Sequence, residues 1–412
     1  MTSISTAVRM LTAFISTKIA AILIGPPGVA LVGQLQNFSS IVMAIATGGI
    51  NTGVTKYVAE YKNSKNKVRL FISTALRINL FLSAIVGLLM IILSSYLSQK
   101  LFHTYDYQIV LIIFGFTIIL YALNTLLLSI LNGFKEFKKY VIINIVASLT
   151  GLIFSVSLIF LLGILGALIS IVTYQSVVVV VTIIMLTKTE WFNISYFKFG
   201  FSKIALKKYL GYTLMVLVSA FTVPVASIII RNYITTHLSL NDAGIWEGIN
   251  QISAIVFMFI NTTLITYYIP RLSELKEKKD LKKEIYTTAK LVLPITFIAC
   301  ALLFFLRDIV IKILFSSDFL LMRELFLFQM IGLFLKLASF LIATLMHAKA
   351  KTKEFVITEI LFSAINVILA ILFINIYGLV GVTIAFTINY LLYIITMIFI
   401  FRDIIFYKPA TP

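Results

Sequence analysis

The chain has 412 residues, 60% of them hydrophobic and only 12% charged, whereas an ordinary soluble domain carries about 25% charged residues. With a mean hydropathy of +1.06, it holds more apolar surface than a core of this size can hide, so the excess faces lipid. The net charge of +18 would suggest a nucleic-acid binder in a soluble chain; here no nucleic-acid partner is expected, and what matters is where the charge sits.

A membrane helix needs about 20 mostly apolar residues. In chain order, twelve stretches qualify: 3–24, 29–49, 70–97, 108–131, 141–162, 167–186, 210–230, 243–269, 287–306, 325–346, 355–376 and 380–401. The first has neither a dense basic region nor a small-residue cleavage site, so it is expected to be a retained span and not a signal peptide. Pro26-Pro27-Gly28 separates the first stretch from the second, and Gly163 to Gly166 and Gly378 to Gly381 make two similar tight connections. The apolar runs are continuous and not alternating, which predicts helices and not a barrel.

The loops set the orientation. With a cytoplasmic N-terminus, 25 of the 34 basic residues, from Lys56 to Lys408, fall in cytoplasmic connections. Five fall on the other side: Lys100, Arg231, Arg307, Lys312 and Arg323. This bias predicts that both termini are cytoplasmic, in a bacterial inner membrane with the bilayer as a partner. Cys300 stands alone, and His103, His237 and His347 show no ligand spacing. There is no phosphate-binding loop, nucleophile elbow or zinc-protease motif. No catalytic residue, metal or cofactor is expected, and the chain is not expected to be an enzyme.

The second half repeats the first. Residues 139–145 align with 354–360, and Gly163-Ile164-Leu165-Gly166 aligns with Gly378-Leu379-Val380-Gly381, both at an offset of 215. Thr74-Ala75 matches Thr288-Ala289 at 214, and Leu101-Phe102 matches Leu314-Phe315 at 213. Six spans are an even number, so the repeat is parallel. The predicted fold is an all-α integral membrane protein of twelve transmembrane helices. They form two parallel six-helix lobes related by a pseudo-twofold axis along the membrane normal. The N-lobe is 1–187, a cytoplasmic linker 188–206, and the C-lobe 207–412. Such proteins hold substrate between the lobes and rock one against the other.

A charge inside the hydrocarbon costs several kcal/mol and needs a reason. Lys18 is about 9 Å from the external end of the first span, too deep for easy snorkelling. Lys336 is near the middle of the tenth, and Gln329 and His347 return to almost the same face. Lys18 and Lys336 are expected either to line a cavity or to sit in structural ion pairs. Arg77 and Arg231 either assist them or snorkel. Glu247 and Glu359 are candidate ion-coupling carboxylates; the alternatives are a helix N-terminus for Glu247 and a loop lysine for Glu359. Gln34, Asn37, Gly48, Asn51 and Thr55 form one polar stripe, and Glu247, Asn250, Gln251 and Asn261 another. They line a wet cavity or act as interhelical glue. At an offset of 211, Glu60 corresponds to Arg271. With Lys56 these are expected to form a cytoplasmic gate, closed by a Glu60–Arg271 salt bridge.

The run Asn51-Thr52-Gly53-Val54-Thr55-Lys56-Tyr57-Val58-Ala59-Glu60-Tyr61 and the run Ala243-Gly244-Ile245-Trp246-Glu247-Gly248-Ile249 resemble Wzx-type flippases. So do Val292-Leu293-Pro294 and Leu306-Arg307-Asp308. The resemblance is strongest to the O-antigen and enterobacterial common antigen translocases. They belong to the multidrug/oligosaccharidyl-lipid/polysaccharide exporter superfamily. It implies a flippase that carries an undecaprenyl-pyrophosphate-linked oligosaccharide repeat unit to the periplasmic leaflet by alternating access, coupled to an ion gradient. Lys18, Lys336, Arg231 and Arg77 would meet the pyrophosphate. Asn37, Asn51, Asn250, Gln251 and Gln329 would line the sugar cavity. A polysaccharide polymerase and a chain-length regulator are candidate partners of a monomeric flippase. The rivals are a multidrug/cation antiporter of the same superfamily, which needs a carboxylate-rich cavity, and a membrane polymerase or ligase, which needs a large external loop.

Overall fold

The computed structural model describes residues 2–189 and 191–407; Lys408 lies outside the described residues. All regular structure among them is helical. In order these helices are α1 (Thr2–Ala46), α2 (Asn51–Glu60), α3 (Lys65–Ile92), α4 (Ser94–Phe102) and α5 (Gln108–Gly133). Then come α6 (Phe137–Thr187), α7 (Lys203–His237), α8 (Leu240–Thr263), α9 (Ile269–Glu274) and α10 (Lys278–Phe305). The last five are α11 (Arg307–Leu314), α12 (Phe326–Ala348), α13 (Thr352–Tyr377), α14 (Val380–Ile400) and α15 (Arg402–Ile405). Ten segments among the described residues are long and apolar enough to cross a membrane.

Two of the ten are too long to be single rods. At 1.5 Å per residue α1 would run roughly 68 Å and α6 roughly 77 Å, against about 40–45 Å for a whole bilayer. Each is broken at a glycine that adopts a left-handed φ: Gly25 at 59° in α1 and Gly163 at 57° in α6. The α1 break thus lies just before Pro26 and Pro27, which fit the first turn of the next helix because no intrahelical N–H bond is needed there. In α6 a Cβ on Gly166 would run into the Leu158 carbonyl. Residues that far apart cannot touch along a straight helix, so the chain doubles back at Gly163.

The chain divides into two compact units. Unit 1 is Met1–Ile24 with Leu31–Ile228, and unit 2 is Gly25–Ala30 with Ile229–Pro412. The division falls inside α7, later than the expected linker. Within unit 1, residues 199–202 are tied to α3: Ser73 donates to the Gly200 carbonyl at 2.7 Å and the Ser202 amide to Thr74 Oγ1 at 3.1 Å. In α3 and α5, Gly87 and Gly115 face one another so closely that a Cβ on either would meet the other's carbonyl. Asn124 joins α5 to α6 by donating to Gln175 Oε1 at 2.8 Å and accepting from Thr182 at 2.6 Å, the polar glue that replaces hydrophobic driving force in lipid.

Several backbone features recur at the offsets of 213–215 seen in the sequence. α3 gives way to α4 at Leu93 and α10 to α11 at Leu306, with φ −93° in both. Lys135 and Ala350 are both left-handed, at 62° and 51°. Matching amide bonds accompany them: Glu136 to the Leu131 carbonyl, and Lys351 to the Met346 carbonyl. Gly163 and Gly378 share φ 57°, and a Cβ on Gly381 would strike the Phe373 carbonyl as one on Gly166 would strike Leu158. Two expectations need correcting. Gly48, Asn51 and Thr55 are not on one helix, because Gly48 and Gly49, both at φ 62°, end α1 before α2 begins. The stretch 70–97 is likewise interrupted at Leu93.

Candidate functional site

In unit 2, α7 and α8 are joined by a short turn. Ser239 caps α8: its Oγ accepts from the Asp242 amide at 3.0 Å and donates to Asp242 Oδ2 at 2.6 Å, a reciprocal cap that starts the helix sharply. α7 runs on to His237, so Arg231 and Glu247 both lie about two turns inside their helices, at equal distances from Ser239. They form a buried ion pair, with the Arg231 guanidinium 5.4 Å from the Trp246 ring centroid. Arg231 is only 2% exposed, so it does not snorkel. Glu247 neutralises it and is not simply a helix-terminal acid. Neighbouring Gly244 packs on the Pro26 backbone.

The second cluster of unit 2 centres on Lys336, midway along α12. Its Nζ lies 4.7 Å from the Phe257 ring, 5.5 Å from Tyr390 and 5.9 Å from Phe386. Gly332, one turn earlier, lets Phe386 press against α12, and Thr387 donates to the Phe328 carbonyl at 2.6 Å. Ring faces attract an ammonium by about 0.5–2 kcal/mol each. Glu359 of α13 is within electrostatic range of Lys336, Tyr390 and Tyr393. Gln329 donates to Ser253 Oγ at 2.9 Å and to Asn250 Oδ1 at 3.4 Å. The α12 stripe therefore meets the α8 stripe, with Gln329 opposite Asn250 and Lys336 opposite Phe257. Gln251 is half-buried one residue on. His347, at the end of α12, packs instead on Phe355, with centroids 4.7 Å apart.

In unit 1, Lys18 is half-buried in α1 and Gln34 is buried. Half-buried Asn37 accepts through its carbonyl from Ser40. Asn51, at the start of α2, holds its side-chain oxygen buried without a hydrogen-bond partner. Thr55 is glue, donating to the Ser129 carbonyl at 3.1 Å. Arg77 is exposed and donates to the Phe199 carbonyl at 3.2 Å, so it ties residues 199–202 to α3. Lys56 and Glu60 are exposed on α2. The Glu60 partner expected from the repeat, Arg271, is engaged inside unit 2 by Glu274 at 3.5 Å and Glu284 at 3.7 Å.

One cluster was not anticipated from the sequence. Lys208, near the start of α7, donates to the Tyr61 hydroxyl at 2.5 Å and sits over the rings of Tyr61, Tyr57 and Phe71 at 5.0–5.8 Å. The Tyr61 bond, with Glu60 nearby, holds its ammonium above the ordinary lysine pKa. The available signal was Tyr57 and Tyr61 at i, i+4 on one helix face.

The polysaccharide biosynthesis protein family matches residues 1–276. This chain belongs to that family. It is 30% identical over 392 residues to the "Lipid III flippase" of Escherichia coli strain K12, covering 95% of this chain and 94% of that protein, and equally to the Shigella flexneri "Lipid III flippase". Its fold matches an inward-facing multidrug resistance MATE family transporter of the MOP superfamily, with TM-score 0.82 at 16% identity, covering 98% of this chain and 100% of that one. It also matches the lipid II flippase MurJ in an inward closed conformation, with TM-score 0.73 at 18% identity, covering 97% and 86%. These relatives are named flippases and transporters, not enzymes. The family member described here is thus a multi-span membrane protein with charged side chains held inside its helices.

Proposed function

We propose that the protein is a flippase for an undecaprenyl-pyrophosphate-linked oligosaccharide, working by alternating access. The observation that carries this reading is the 30% identity to lipid III flippases over 95% of the chain. Cations within the helices supply the chemistry: a lysine or arginine in a low-dielectric site pairs strongly with phosphate oxygens. In this reading Lys18 and Lys336 meet the pyrophosphate. Arg77 and Arg231 act less directly, through residue 199 and through Glu247. Asn37, Asn51, Asn250, Gln251 and Gln329 contribute polar surface to the sugar path. Glu359, beside Lys336, is the coupling carboxylate, with Glu247 as a second.

The same reading takes the ten spanning segments, with α1 and α6 each divided at its glycine, as twelve spans. They form two six-helix lobes related by a pseudo-twofold axis along the membrane normal. Both termini are cytoplasmic, and the protein is a monomer of the bacterial inner membrane, with a polymerase and a chain-length regulator as partners. When the cytoplasmic side closes, Arg271 exchanges Glu274 and Glu284 for Glu60, with Lys56 beside it.

The test is complementation of a strain lacking its own lipid III flippase. Lys18→Gln and Lys336→Gln should each lower polysaccharide display by about tenfold or more, equivalent to roughly 1.4 kcal/mol or more, while membrane protein level holds. Normal display in both variants rejects the reading.

A further inference from the structure

The repeat places a short helix after the third long helix of each half, and the two copies differ where they face outward. Counting from Leu93 and Leu306, Ser98 of α4 corresponds to Ile311 of α11 and Phe102 to Phe315. All four are buried, so the copies press the same face inward. On the outer face, Tyr96 corresponds to Ile309 and Lys100 to Ile313. In unit 1 that face is polar: exposed Lys100 lies over the Tyr96 ring at 5.8 Å. In unit 2 it is bare hydrocarbon, with Ile309 53% and Ile313 63% exposed. They are four residues apart and therefore on one side of the helix.

The apolar face of α11 is held rigid. Ile311, Phe315, Phe319 and Met322 are fully buried beneath it, and Asp308 is bridged to Arg323 at 3.3 Å. It also continues the outer surface of α10, where Phe305 is 77% exposed at the end of a helix apolar enough to span. We infer that α11 is a lipid-binding foot. Ile309 and Ile313 insert at the headgroup boundary of the leaflet opposite the basic loops, while Asp308 and Lys312 stay at the headgroup level. Amphipathic segments that lie in the interface bury their apolar face about 5–10 Å deep. Among the described residues, α4 of unit 1 presents Tyr96 and Lys100 where α11 presents Ile309 and Ile313, so the foot belongs to unit 2. That this leaflet receives the translocated lipid rests on the flippase reading; the contact with lipid does not.

Single cysteines settle it on the full chain in phospholipid vesicles. Ile313→Cys and Lys100→Cys are each labelled with bimane, the unsubstituted chain with its buried Cys300 serving as the blank. Quenching is compared between lipid carrying a shallow doxyl group and aqueous iodide. The foot predicts that the label at 313 is quenched about threefold more by the doxyl lipid than by iodide, and the label at 100 the reverse. Equal iodide quenching at both positions overturns the inference. So does a label at 313 that neither quencher reaches, because protein would then cover the face. Ile309→Cys repeats the measurement should the first variant fail to fold. Lipid quenching at 313 in a chain that fails complementation would leave the foot standing and the flippase reading rejected.

Discussion

The turns around Pro26 and Ser239 stand 213 residues apart in the sequence, and the residues flanking them carry charge differently. Arg231 and Glu247 lie equally far on either side of Ser239; Lys18 and Gln34 lie equally far on either side of Pro26. The cation is kept in both halves, as lysine in unit 1 and arginine in unit 2. The acid is not: Glu247 corresponds to a neutral amide. The unit 2 pair is therefore neutral as a whole, and the unit 1 pair carries +1 from the same two positions. The backbone turns at Lys135 and Ala350, and at Gly163 and Gly378, recur at an offset of 215, but the charges around Pro26 and Ser239 do not. Arg231 is committed to a buried ion pair with Glu247, while Lys18 is half-buried with a neutral amide where unit 2 has that acid.

The strongest way to break this contrast is to remove each cation in turn. Deleting one member of a buried ion pair leaves a stranded charge and costs about 3–5 kcal/mol, whereas replacing both members with apolar groups is near neutral. Arg231→Met should therefore sharply lower the thermal unfolding temperature in detergent, and so should Glu247→Met. The double variant should recover most of the loss. Lys18→Met removes a half-buried cation with no acid at the position matching Glu247, so it should destabilise less than Arg231→Met and still lower display by about tenfold or more, roughly 1.4 kcal/mol. Equal destabilisation by Lys18→Met and Arg231→Met would erase the distinction between the halves.

A smaller perturbation sharpens it by importing the missing acid. Gln34→Glu places in unit 1 the carboxylate that unit 2 carries. An internal carboxylate competes with phosphate for a cation, since a protein–protein ion pair must be given up before a substrate pair forms. Display should fall about fivefold, roughly 1 kcal/mol, with protein level unchanged, and Gln34→Leu should fall less. Undiminished display in Gln34→Glu would show that the charge difference between the hairpins is incidental.

Much of this organisation was legible in the sequence. The offset of 215 anticipated the left-handed glycines at Gly163 and Gly378, because glycine pairs mark positions of unusual backbone, whereas the Leu93 break inside the 70–97 stretch carries no glycine or proline to announce it. The Gln329–Lys336 stripe followed from helical spacing and does meet α8. Other features depended on where helices stop. The seventh apolar stretch of the sequence ends at residue 230, before the polar Arg231-Asn232. α7 instead runs on to His237, and Ser239 with Asp242 starts α8. Those few residues turn Arg231 and Glu247 from end groups into buried partners. Arg77 depended on the path of a loop, residues 199–202, which has no periodicity from which to read it. Lys208 depended on the same loop docking, which brings the start of α7 against Tyr57 and Tyr61.

Lys208 also offers the mildest test of how the halves use lysine. It and Lys336 both rest among aromatic rings with a glutamate near, yet Lys208 lies near the start of α7, ahead of its spanning segment, and Lys336 lies in mid-helix. At the end of a helix, water supplies an alternative set of partners, so losing one protein acceptor costs only the net value of a hydrogen bond, about 0.5–1.5 kcal/mol. Tyr61→Phe keeps the ring and removes the hydroxyl that accepts from Lys208. It should lower the unfolding temperature slightly and leave display near normal. Removing Tyr390 from the mid-helix Lys336 cluster, where its ring lies 5.5 Å from the ammonium, should cost more. If Tyr61→Phe proves the more damaging of the two, then the Lys208 cluster, and not depth in the membrane, decides what an aromatic-caged lysine contributes to this fold.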